Sequence, residues 1–458
     1  MTLPQMTLAQ KIGTFAVGFT ARDLSPEESH AARRALLDTL ACAMGGSHEA
    51  AFQRALRYGR KVSGPGVARV WGSEERLGLE QAAFVNAVLG HVLDFDDVTS
   101  ALRGHPSVAM LPALLALAEA EGLGLEAVCT AYAVGFEVAG RIGECLGDEH
   151  YAKGFHATAS IGVFGATAAC ANLLKLTAEQ TANAIGLTVA QAAGSRENFG
   201  TDAKSFQAGH SNRAALQSVL LAREGFDSSP DSLEGPCGYA KLYGAGEDLV
   251  AGMAKLGQAP RLLVQAGLDV KKYPMCYATH RALDALLDLR AATGVALADV
   301  ESVAVEGSNR SFQPLLHDAP KTGLEGKFSM QYAMAAGLAD GKVELASFAD
   351  EAVQRPEIQA FLPKVTKREL PGSMKPRFTS ITLALKDGRT LHRRVDALRG
   401  GPELPLSDAE LTAKLAGCLA HAGSAADAAG VARAILAPGD RPVAGLLAML
   451  APVRLAAE

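Results

Sequence analysis

The stretch VAMLPALLALAEA, residues 108–120, is apolar on nearly every face of the helix it spells. A helix at the surface of a globule carries a single apolar stripe, so a segment without a polar face belongs inside a large helical bundle. Residues 157–174 and 184–194 have the same character and predict further buried helices. Working outward, helix starts recur along the chain. Ser25-Pro26-Glu27-Glu28 is a capping box with proline at the first helical position. Ala32, Leu36, Leu37 and Leu40 follow on one face, and Gly45-Gly46 is the stop. Thr177 to Gln180 and Ser407 to Glu410 repeat the start signal.

The pattern changes after about residue 265. VESVAVEG at 300–307, FTSITLAL at 378–385 and RTLHRRV at 389–395 alternate, and Asp387-Gly388 between the last two is a hairpin signal. Helical segments at 280–293, 324–339 and 355–362 lie among these strands, and helix returns from Ser407. The expected fold is therefore mainly α: a large all-helical domain over 1–265, a smaller α+β domain over 266–400, and a segment at 401–458 that returns to the helical domain. Residues 227–245, rich in glycine, serine and proline, predict a long loop.

Composition narrows the function classes. With 458 residues, 48% hydrophobic and 20% charged, the chain has ample material for a core, which excludes a disordered protein. A net charge of −5 gives no electrostatic reason to expect nucleic acid. The seven cysteines, at 42, 129, 145, 170, 237, 276 and 418, form no C-x-x-C pair and read as free thiols in a reducing compartment. The start, MTLPQMTLAQKIG, lacks the basic region and apolar run of a secretory signal, and no apolar stretch approaches membrane-spanning length, so a cytoplasmic protein away from membranes is expected.

Polar residues that interrupt apolar helices carry the chemical information, because a buried charge without a partner is costly. Four clusters stand out. His91, Asp94, Asp96, Asp97, Thr99, Arg103 and His105 combine carboxylates with imidazoles, as a divalent-metal site or a positioned acid/base histidine would; helix capping by one aspartate is the plainer alternative. Lys153-Gly154-Phe155-His156 precedes a small-residue helix and puts His156 near a helix N-terminus, where anions bind. Lys204 and His210 lie in GSRENFGTDAKSFQAGHSNRAA at 194–215. Lys271, Lys272, Tyr273, Cys276, Tyr277 and His280 crowd the change from helical to α+β pattern. A magnesium-binding D-D-x-x-D run is not completed after Asp96-Asp97, where Val98, Thr99 and Ser100 follow, and no second acidic run appears, so no metal is expected. Gly122-Leu123-Gly124-Leu125-Glu126-Ala127 fits G-x-G-x-x-A but follows a helix, so it reads as a helix–helix turn, and no P-loop, H-E-x-x-H or G-x-S-x-G occurs.

Together these clusters resemble the MmgE/PrpD family, which includes 2-methylcitrate dehydratases, cis-aconitate decarboxylases and an iminodisuccinate epimerase. The resemblance spans nearly the whole chain. It rests on His91-x-x-Asp94-Phe95-Asp96-Asp97 with His105-Pro106-Ser107, on Gly154-Phe155-His156, and on Asn198-Phe199-Gly200-Thr201 with Lys204. Lys271-x-Tyr273-Pro274-x-Cys276 with Thr279-His280, and Gly323-Leu324-Glu325-Gly326-Lys327-Phe328-Ser329-x-x-Tyr332, extend it. It implies that the α+β domain is a lid, that the protein is a homodimer without a cofactor, and that Asp94, His105, His156, Lys204, Lys271, Cys276 and Tyr332 lie at or near an active site. Two positions depart from the family pattern: Val98 stands where threonine is common, and His210 where arginine is common.

The residue inventory suits proton abstraction next to a carboxylate, which needs a base, and cations or donors for the charge that develops. His105 is the expected base with Asp94 as its orienting partner. His156, Lys204 and Lys271 are expected to bind the carboxylates of a small di- or tricarboxylate, and Tyr332 to supply a proton or hold a leaving group. Cys276, His210 and His280 are expected beside the substrate. Dehydration, decarboxylation and epimerisation share a carbanion-like state. The first expectation is a 2-methylcitrate dehydratase-like hydro-lyase, with a decarboxylase or epimerase second and a non-enzymatic helical scaffold as the different-class alternative.

Overall fold

The computed structural model describes residues 6–450. The N-terminal stretch read above for export starts at Met1, so its first five residues lie outside the described ones, as do 451–458 of the C-terminal segment. The described residues divide into two compact units, one of residues 6–92, 96–269 and 408–450, the other of residues 93–95 and 270–407.

The first unit is helical. Its helix Pro26–Gly45 starts at the expected capping box, in which Ser25 accepts from the Glu28 backbone N–H and the Glu28 side chain accepts from that of Ser25. Ala178–Val189 starts in the same way at Thr177 and Gln180. The stretch read as helix at 184–194 is the second half of this element, which ends five residues earlier than expected. Pro106–Ala120 is buried along its length up to Glu119. Pro112 inside it cannot donate to the Val108 carbonyl. Asn212, from the helix Asp202–Arg223, repairs the gap: its Nδ2 donates to Val108 O at 2.8 Å and its Oδ1 accepts from Ala113 N at 2.9 Å. A polar side chain in an apolar bundle is thus satisfied by the break that the proline makes. The glycines at 122 and 124 lie in the turn between Pro106–Ala120 and Leu125–Ala152, as expected.

The second unit contains a four-stranded sheet in the order Val365–Glu369, Val300–Gly307, Thr379–Leu385, Thr390–Val395. The first two strands are parallel and the other neighbours antiparallel. Three strands coincide with the alternating stretches, and Gly388 takes the left-handed conformation, φ 88°, that the hairpin turn needs. Val365–Glu369 is not anticipated by the pattern. The helix expected at 324–339 is two pieces, Gly323–Gly326 and Met330–Asp340. Ser329 breaks them apart by capping the second through the Tyr332 N–H. The loop expected at 227–245 holds a short helix, Tyr239–Tyr243.

All seven cysteines are free thiols. Among the described residues no helix is long and apolar enough to cross a membrane.

Candidate active site

In the first unit the site is built where helices begin and end. His91 is the last residue of the helix Leu79–His91, and His105 and His156 each occupy the N-cap position of the helix that follows. The His105 backbone N–H donates to Thr158 Oγ1 at 3.1 Å, which ties the second helix start to the third. The three imidazoles form one group. The rings of His91 and His105 lie 4.5 Å apart edge to face, and those of His91 and His156 lie 5.9 Å apart and nearly parallel.

Asp96 joins two of them. Its Oδ2 is 2.9 Å from His91 Nδ1 and 3.1 Å from His105 Nδ1. Burial alone would push this carboxyl up, but the His105 and His91 imidazoles outweigh it and hold Asp96 well below the usual range. His91 moves down to about 4, first through burial and then through the charges of Lys204 and His105, against the pull of Asp96. His156 is pushed well below its ordinary value by burial, His91, Lys204 and His105. Both rings are therefore neutral at pH 7, with Nδ1 engaged on Asp96 or Gln207 and with Nε2 buried and unpartnered. Lys204, only 8% exposed, places its ammonium 5.5 Å from the centre of the Phe199 ring, whose plane meets His156 edge on. A buried cation beside neutral imidazoles suits an anionic ligand.

His91, Asp96 and His105 also lie at metal-ligand spacing, within 4.8 Å of one another. The same distances pair both imidazoles with one carboxylate, His91 through a hydrogen bond and His105 through an ion-pair contact.

A further acidic group adjoins the array. Asp97 accepts from the hydroxyl of Ser107, whose oxygen is 2.7 Å from that of Tyr132. Burial and the Asp38 charge push Asp97 well above the usual carboxylate range.

Sequence reasoning places His105, His156 and Lys204 together, and the structure groups them. It gives Asp94 to His105 as partner. The carboxylate found at His105 Nδ1 is instead Asp96, while Asp94 pairs with Lys271 in the second unit at 3.0 Å. Asp94 has a left-handed backbone, φ 53°, and two buried ammonium groups hold this turn: Lys271 donates to the Asp94 carbonyl at 2.6 Å and Lys327 to the Leu93 carbonyl at 2.7 Å. Also in the second unit, Cys276 is buried with its N–H on the Lys327 carbonyl. His280 Nε2 lies 3.3 Å from the Met275 carbonyl. Tyr332 is fully buried and donates its hydroxyl to the Ser347 carbonyl, with its phenol pushed up to about 12 by burial. His210, in the first unit, lies 3.1 Å from the Gln191 carbonyl at the edge of a cavity of about 280 Å³ lined also by Gly194, Asn198, Phe206 and Gln207. The sequence reading misses Gln207 and Lys327. Lys327 sits within a quoted motif; Gln207 lies one helical turn after Lys204.

The MmgE/PrpD N-terminal domain matches residues 10–251 and the MmgE/PrpD C-terminal domain residues 273–436. The chain is 29% identical to a human cis-aconitate decarboxylase, covering 89% of this chain and 87% of that protein. It is 31% identical to the mouse cis-aconitate decarboxylase, covering 83% and 80%. Against a 2-methylcitrate dehydratase of Escherichia coli it is 27% identical, covering 73% and 72%.

Proposed function

The chain belongs to the MmgE/PrpD family, and from that premise we propose that it is a lyase acting on a small polycarboxylate, in the first place a decarboxylase of cis-aconitate or a close tricarboxylate. The sequence reading ranks a hydro-lyase first; the stronger likeness to proteins named as decarboxylases supports the reverse order. The observation that carries the chemistry is the His91–Asp96–His105 array beside His156 and the buried Lys204.

In this reading the bond to the departing carboxylate breaks, CO2 leaves, and its electron pair spreads over the neighbouring C=C bond and carboxylates. A proton from Nε2 of a His105 imidazolium then forms the new C–H bond at the far allylic carbon, and solvent returns a proton to the ring. Asp96, ionised at His105 Nδ1, stabilises the imidazolium and fixes its orientation. Lys204 offsets the charge of the bound polyanion. Because the carbanion is shared chemistry, a second reading is dehydration of a 2-methylcitrate-like hydroxy acid. It is supported by the unpartnered Nε2 atoms of His91 and His156, which can accept from a substrate hydroxyl.

The test is to incubate the purified protein with cis-aconitate and with 2-methylcitrate, following CO2 release and the products by NMR. One CO2 released per cis-aconitate consumed is expected. Water loss from 2-methylcitrate without CO2 release moves the second reading to the front, and inertness towards both removes the proposal.

A further inference from the structure

Gln207, 6% exposed, is bonded in two directions. Its Nε2 donates to the Ser195 carbonyl at 3.0 Å, and its Oε1 lies 2.9 Å from His156 Nδ1. A carbonyl oxygen can only accept, so Ser195 fixes which end of the amide is nitrogen. The other end is then an acceptor, and the His156 nitrogen that faces it must carry the hydrogen. The backbone makes this arrangement stiff. Phe155 and Ser195 form an antiparallel bridge, with His156 N donating to Gly194 O at 3.1 Å and Arg196 N to Gly154 O at 2.8 Å. Gly194 has φ 144°, and a Cβ there would lie 3.0 Å from Gln207 Oε1 and 3.2 Å from the His156 carbonyl oxygen. The segment that holds Ser195 therefore passes close to both residues, and a side chain at 194 would be crowded there on a backbone conformation that favours glycine.

We propose that Gln207 is a positioning residue that locks His156 in the Nδ1–H tautomer, so that Nε2 meets the substrate as a hydrogen-bond acceptor. His156 then receives a donor, a hydroxyl or a protonated carboxyl, instead of pairing as a cation with a carboxylate as the sequence suggests. The charged and titratable groups that bear on the ring are His91, His105 and Lys204, and with burial they keep it neutral. The substrate clause rests on the function proposed above; the tautomer does not.

The experiment is long-range proton–nitrogen NMR of the full chain with 15N-labelled histidine, His156 being assigned by its loss in His156→Asn. At pH 7 the wild-type protein should show a protonated Nδ1 and an unprotonated Nε2. In Gln207→Glu a carboxylate replaces the amide and can only accept, so the Nδ1–H tautomer should persist and the His156 titration should move up by ~1–3 units. In Gln207→Leu the single tautomer should give way to a mixture. A wild-type ring protonated on Nε2, or a pure Nδ1–H tautomer surviving in Gln207→Leu, overturns the proposal. The wild-type spectrum decides the tautomer even if a variant does not fold. It also needs no substrate, so the expected tautomer in a protein that turns over no polycarboxylate counts against the functional reading alone.

Discussion

Nζ of Lys414 lies 2.6 Å from Oδ1 of Asp38, with side chains 5% and 0% exposed. One comes from the helix Asp408–His421 and the other from Pro26–Gly45. Burial pushes Asp38 up and the Asp96 charge adds to this, while Lys414 opposes both. Lys414 is therefore the counter-charge for acidic residues that adjoin the His91–Asp96–His105 array. Breaking a buried pair from one side costs about 3–5 kcal/mol, whereas replacing both partners by apolar groups is often neutral. Lys414→Met should lower the urea midpoint accordingly, and Asp38→Leu added to it should recover most of the loss. An unchanged midpoint in the single variant would mean that the pair carries no stability.

Asp96→Asn keeps the shape of the array but removes the charge shared by His91 and His105. General acid–base catalysis contributes ~10²–10⁴-fold, and turnover should fall within that range while circular dichroism stays unchanged. His105→Ala should fall by a similar factor, and the double variant by little more than either, because the two act as one unit. Additive losses in the double variant would argue that Asp96 acts independently of His105.

Stability should depend on pH through His91. Its ordinary value is 6.5, and the fold lowers it to about 4. Between these values the unfolded chain binds the proton and the folded one does not, so stability rises with pH across the window and is lost as pH falls through it. The loss is on the order of 3 kcal/mol for this group. The stability difference between the wild-type protein and His91→Gln should shrink by that amount from pH 7 to pH 4. A difference that stays constant over the range is incompatible with a neutral buried His91.

Tyr332→Phe tests a residue expected at the active site and found in the core of the second unit, donating to the Ser347 carbonyl. Loss of one such hydrogen bond costs about 0.5–1.5 kcal/mol. Thermal or urea unfolding should show that decrease, with turnover of the substrate changed by less than tenfold. A hundredfold drop in kcat with normal stability would return Tyr332 to the chemistry.

How far the sequence can be read follows from how each element is buried. Pro106–Ala120 is legible because it is surrounded, and an all-apolar helix has one physical explanation. Val300–Gly307 is legible because residues 303, 305 and 307 are buried between more exposed neighbours, whereas in Val365–Glu369 the burial also alternates but the less exposed positions after Val365 are Lys367 and Glu369, so no apolar alternation shows in the sequence. The site shows the same division. Charged residues in apolar surroundings announce His105, His156 and Lys204. Which aspartate serves which partner depends on a left-handed turn at Asp94 that an aspartate adopts without glycine to mark it. Gln207 carries no charge, so nothing in its local sequence separates it from an ordinary helical glutamine.

The discontinuity of the first unit, which residues 408 onward rejoin after the whole of the second, has a consequence during synthesis. At ~5–20 residues per second, Lys414 leaves the ribosome roughly 20–75 s after Asp38. Arg33 also waits: its guanidinium donates to the carbonyls of Ile435, Ala437 and Gly439. For that interval the nascent helix Pro26–Gly45 carries a carboxylate and a guanidinium whose buried partners do not yet exist. The helical unit can collapse early but closes only after the whole of the second unit has been made, which makes the helices from residue 408 onward the step that protects the chain from aggregation and proteolysis.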